Sequence, residues 1–146
     1  MTPETAGPFP TLRQVVLDTT DARRLAEFYR QLLGYNYRPG DEPPAEGEPD
    51  ERAKDWLVLC APVGANLIAF QPVNELAPST WPRHQVPQQF HLDLTVPTVI
   101  DLDIQDQRAL GLGARLLLDR SDDEEEPLRV YADPAGHPFC IFVAPS

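Results

Sequence analysis

The chain is short of cysteine, of basic side chains and of long apolar runs, and each shortage argues against a class of protein. Cys60 and Cys140 are the only cysteines in 146 residues. They form no CxxC pair, so a disulfide framework is not expected and a reducing, cytoplasmic setting is. Twelve Lys and Arg stand against 23 Asp and Glu, a formal charge of −11. Such a balance repels phosphate backbones and argues against nucleic acid as a partner. No apolar run approaches the ~20 residues of a membrane span, so no membrane partner is expected. The opening MTPETAGPFPTLRQ lacks the basic-then-apolar order of a secretory signal, and none is expected there. A Ser–His–Asp elbow, a P-loop and a dinucleotide fingerprint are also missing. GLGA (111–114) imitates the last only superficially, because it ends a helix instead of opening one.

The sequence does carry enough apolar residues, 42%, for one packed domain or two small modules sharing a core. The acidic excess is concentrated in GDEPPAEGEPDERAKD (40–55) and DRSDDEEEP (119–127). Both read as solvated surface loops, with a field attracting cationic ligands as the alternative. Neither has the spacing of an EF-hand loop.

The main signal is an internal repeat at an offset of 77 residues, QVVLDTTDARRLAEFYRQLLGY (14–35) over HLDLTVPTVIDLDIQDQRALGL (91–112). It aligns Leu17 with Leu94, Leu25 with Leu102, Leu33 with Leu110 and Gly34 with Gly111. In the first copy Asp21 is placed to cap a helix whose apolar residues Leu25, Phe28, Tyr29, Leu32 and Leu33 recur at helical spacing, and Gly34 stops it. In the second, Thr98 or Asp101 can cap. Val99, Leu102, Ile104 and Leu110 form a less regular stripe, and Gly111 and Gly113 end it. Short β-rich runs follow each helix: 35–39, 55–61 and 66–73, then 114–119, 128–133 and 138–144. The chain therefore divides into a tail (1–10), a first βαβββ module (11–73), a Pro-rich linker (74–88) and a second βαβββ module (89–146).

A lone βαβββ unit leaves one sheet face bare. Pairing two of them predicts an α+β fold with one curved, eight-stranded sheet around a central cleft and the helices outside. In QQFHLDLTVPT (88–98) the strict alternation puts Phe90, Leu92 and Leu94 under the helix. It turns His91 and Asp93 toward the cleft.

The stretches QVVLDTTDARRLAEFYRQLLGY, FHLDLTV and YADPAGHPFCIFV resemble the vicinal oxygen chelate superfamily, which includes glyoxalase I, extradiol dioxygenases and bleomycin-resistance proteins. The likeness covers nearly the whole chain beyond its first ten residues. It implies the paired-module fold but no single reaction, since this scaffold hosts lyases, dioxygenases and binding proteins. Metal-dependent relatives place ligands on the first and last strands of each module. Carried over, those positions fall on Gln14, Ala69, His91 and Cys140. Alanine has no donor atom, and Cys140 stands where such relatives usually show Glu. A catalytic divalent site needs about three protein ligands. No cofactor is therefore expected, with a zinc, nickel, manganese or iron ion on Gln14, His91 and Cys140 as the minority alternative.

The expected ligand-binding cleft is lined by Gln14, Ala69, Gln71, His91, Asp93, Cys140 and Phe142. Trp81 either closes one end as an aromatic wall or plugs the seam between the modules, and Arg83 is the side chain to test should the ligand be an anion. His91 and Asp93 are the catalytic candidates, because a carboxylate beside an imidazole can orient it or tune its proton affinity. His137 reads as a turn residue after Asp133-Pro134-Ala135-Gly136. The favoured function is a small-molecule-binding protein of the glyoxalase/bleomycin-resistance kind without the usual metal. The alternative is a lyase, isomerase or dioxygenase with an atypical metal shell. Relatives often pair as homodimers, and the sequence leaves monomer and dimer open.

Overall fold

The computed structural model describes residues 9–144, so the expected N-terminal tail falls almost wholly outside the described residues. Strand β1 (Val15–Thr19) leads into helix α1 (Ala22–Leu33), then β2 (Asn36–Tyr37), β3 (Leu57–Cys60) and β4 (Asn66–Pro72). The order repeats as β5 (Leu92–Val96), α2 (Val99–Leu112), β6 (Arg115–Arg120), β7 (Leu128–Ala132) and β8 (Pro138–Val143). β5 starts and ends one repeat length after β1. Each module forms its own four-stranded mixed sheet, ordered β1-β4-β3-β2 and β5-β8-β7-β6, with the first strand parallel to the last. The fold is α+β as expected, but its eight strands make two sheets that are not closed onto each other. Among the described residues no helix is long and apolar enough to cross a membrane.

Local chemistry accounts for the helix ends. The Asp21 carboxylate accepts from the Arg24 N–H at 3.1 Å, and α1 stops at Gly34, whose φ of 70° favours glycine. Thr98 caps α2 by accepting from the Asp101 N–H. Gly111 does not end that helix; α2 runs two residues further and stops at Gly113, φ 114°. The expected stripe of α2 also needs correction. Only Leu102 of the four named residues is buried, and Ile104 is 51% exposed. The inward face continues instead through Asp106 and Ala109. A carboxylate is tolerated there because Tyr131 Oη donates to it at 2.6 Å.

The inward faces of both sheets share one apolar interior. From α1, Phe28 and Tyr29 reach Phe139 of β8, with ring centroids 5.8 and 6.2 Å apart, and Phe139 stacks on Tyr131 at 5.2 Å. Tyr29 Oη donates to buried Asp133 across the modules at 2.6 Å. The other Asp133 oxygen accepts from the N–H groups of Ala135 and His137. Burial pushes the Asp133 carboxyl above its ordinary range. His137 does more than close the turn: its Nε2 donates to the Asp18 carbonyl at 2.6 Å, tying that turn to β1.

The two acidic segments behave differently. Residues 42–49 are exposed, as expected of a solvated loop, but both ends of the segment are pinned. Asp41 is fully buried and accepts from Arg38, from Arg52 and from the Val58 N–H. Asp50 grips Arg23 through two hydrogen bonds of 2.7 and 2.9 Å. The second segment is held at its ends, where Asp119 and Ser121 meet Arg129 and the Pro127 carbonyl accepts from the Val143 N–H. Between them Asp123 accepts from the N–H groups of Glu125 and Glu126.

Candidate functional site

Strand alternation and register build a groove on the outer face of the second sheet. Leu92, Leu94 and Val96 of β5 pack inward, which leaves Asp93 and Thr95 outward. Register then lays out two rows across the sheet. Asp93 sits beside Cys140, which sits beside Val130 and then Leu118; Thr95, Phe142, Leu128 and Arg120 make the next. Each row passes from a polar end at β5 through an apolar middle. The resulting hollow measures about 320 Å³ and is also walled by Trp81, Gln88, His91 and Glu126.

The polar end is a cluster of three side chains. His91 Nε2 lies 3.1 Å from Asp93 Oδ1, and the Cys140 thiol donates to the same oxygen at 2.9 Å. Burial, together with the hydrogen bond and charge of Asp93, pushes the thiol up to about 12. Cys140 is thus held as a neutral donor. Trp81 enters from the linker, where Thr80 closes a small loop on Val86: its N–H donates to the Val86 carbonyl and its hydroxyl accepts from the Val86 N–H. That closure fixes the base of the indole.

His91, Asp93, Cys140, Phe142 and Trp81, all expected at the site, come together in this groove. The first-module candidates do not join them. Gln14 lines a separate hollow of about 660 Å³ beside the β3–β4 turn. That hollow is larger, but it lacks a convergent set of polar groups. Ala69 is fully buried, and Gln71 is exposed outside both hollows. Arg83 is exposed on the linker loop and does not line the groove. Phe90 precedes β5 and is 37% exposed; it lies against the His137 ring instead of under a helix. Sequence reading missed Leu118, Leu128, Val130, Arg120, Gln88 and Glu126. For the first three the signal was present as alternation in ARLLLD and LRVYAD. Its phase was ambiguous, because Tyr131 and Val130 are both apolar and face opposite ways.

The donor set does not fit a catalytic divalent ion. Gln14 and His91 lie in different hollows, and Ala69 offers no donor atom, so the four carried-over positions do not converge. His91 and Cys140 both approach Asp93 Oδ1, but the three are not arranged around a common ion position, and among the described residues no group of three His, Cys, Asp or Glu side chains is placed to hold a metal.

Residues 14–142 match the family profile described as a glyoxalase-like domain. Solved structures share the fold at low identity. A glyoxalase/bleomycin resistance protein/dioxygenase family enzyme from Burkholderia phytofirmans PsJN superposes with a TM-score of 0.64 at 18% identity, over 90% of this chain and 96% of its own. A glyoxalase/dioxygenase from Nostoc punctiforme gives 0.62 at 19% identity, over 100% and 99%. The fosfomycin resistance protein FosX from Listeria monocytogenes gives 0.65 at 13%, over 93% and 94%. No curated protein matches the sequence.

Proposed function

The chain belongs to the glyoxalase-like domain family, and from that premise we propose that it is a small-molecule-binding protein whose ligand lies in the β5–β8 groove without a catalytic metal. The observation that carries this reading is the row Asp93–Cys140–Val130–Leu118 beside Trp81. It grades from hydrogen-bonding groups to apolar floor, as ligand sites commonly do. An organic molecule can bury an apolar body on Leu118, Leu128, Val130 and Phe142 while its polar end meets Asp93 and His91. The fold alone does not choose the function, since structures that share it include enzymes and a resistance protein.

A second reading is acid–base catalysis by His91, oriented by Asp93 at 3.1 Å. It uses the same groove. A thermal-shift screen against apolar metabolites and antibiotics tests occupancy, because a ligand bound only by the folded state raises the melting temperature. Hits are expected to lose their effect in a Trp81→Ala, Phe142→Ala double variant that still melts cooperatively. Turnover of a hit that disappears in His91→Ala would favour the second reading. Stoichiometric zinc, nickel, manganese or iron in protein purified without chelator would overturn the metal-free part.

A further inference from the structure

Resting on the reading that the β5–β8 groove holds the ligand, we propose that its occupant is a small organic cation, an amine or quaternary ammonium carried on an apolar or aromatic body. Two carboxylates, Asp93 and Glu126, wall the groove. Asp93 uses Oδ1 for both His91 and Cys140, which leaves Oδ2 without a partner among the described residues. Glu126 is fixed through its backbone N–H, and its carboxylate likewise has no partner among them. The one arginine in the lining, Arg120, is engaged by Asp123 at 3.0 Å. Carboxylates thus outnumber the arginine at the site, and the remaining basic group of the lining, His91, lies against Asp93.

The rest of the groove agrees. Segment 119–127 contains six carboxylates and a single arginine, and the structure sets it at the rim, with Arg120 and Glu126 reaching the lining. The raised thiol of Cys140 has Asp93 and Glu126 among its causes, so the negative field is felt at the floor. Trp81 supplies an electron-rich face against which a cation is attracted. Leu118, Leu128, Val130 and Phe142 take the apolar part. At about 320 Å³ the hollow lies near the lower limit of ligand pockets, so the ligand is a compact amine rather than a large glycopeptide.

The test uses three matched probes, phenethylamine, phenethyl alcohol and phenylacetate, titrated into the full chain at low and moderate salt with indole fluorescence and calorimetry as readouts. The expected result is that the amine binds about tenfold or more tightly than the alcohol, with the phenylacetate weakest. In the Asp93→Asn, Glu126→Gln variant the amine should lose its advantage and bind no more tightly than the alcohol does to that same variant. Both replaced side chains are exposed, and a cooperative melt confirms that the variant folds. Equal binding of amine and alcohol, or tighter binding of phenylacetate, overturns the cation proposal and leaves the groove reading standing. An amine preference that survives in the variant also overturns it, by placing the cation elsewhere. Failure of all three probes, together with no hit in the broader apolar screen, overturns the groove reading as well.

Discussion

The two modules share one backbone plan and treat their outward sheet faces in opposite ways. In the first, Val58 and Ala69, which point away from α1, are completely buried, and the adjoining segment is nailed down by Asp41 at the Val58 N–H. In the second, the corresponding strands present Asp93, Cys140 and Phe142 to an open groove, with Thr95 exposed beside it. The insertions between the hairpin strands differ as well. Residues 38–56 anchor themselves with buried and half-buried ion pairs, whereas 121–127 is a charged turn that stays at the rim. The same backbone plan thus carries one outward face whose centre is buried and another that forms a groove.

Breaking the closed face should have the largest effect. Ala69→Glu restores a carboxylate where metal-using relatives have one, yet it forces a charge into a fully buried site. A loss of about 4 kcal/mol in urea denaturation is expected, with no gain of zinc by metal analysis. A stable, zinc-loaded variant would mean that the first face opens readily. Asp41→Ala should cost about 3 kcal/mol by the same measurement, because it strands the Val58 N–H and unpairs two arginines; their partial exposure keeps the figure from rising higher.

Smaller effects sharpen the contrast between seam and surface. Tyr29→Phe should cost about 1–3 kcal/mol by leaving a buried Asp133 oxygen without its donor. The raised carboxyl of Asp133 also has a pH signature. Its protonated form is favoured in the folded chain, so its stabilising contribution is fully present below the ordinary value of 3.8 and is lost as pH rises through the raised one. Asp133→Asn should remove that part of the slope in a comparison of melts across acidic pH. Finally, Val58→Ala on the closed face should cost about 2 kcal/mol, while Thr95→Ala on the open face should stay within about 0.5 kcal/mol. Equal costs would erase the distinction between the faces.

The modules were readable in the sequence because their signals are local. A 77-residue offset aligns β1 with β5 without a gap, and Asp21, Gly34 and Thr98 perform the capping their positions imply. What the sequence did not reveal was how the modules meet. Alternation tells which side of β1 Gln14 shares with Val16, but not that this side faces a hollow separate from that of His91. It places Ala69 on the outward face without disclosing that the centre of that face is buried while Val16 and Gln71 beside it are exposed. Asp106 was omitted from the α2 stripe because a carboxylate reads as solvent-facing until its tyrosine partner, 25 residues away, is known. Contacts at long separation leave no periodicity to read.

Phe28 and Tyr29 of the first half lean on Phe139 of the second. Either half by itself would leave those rings open to water, so deleting, transplanting or melting one is expected to take the other with it.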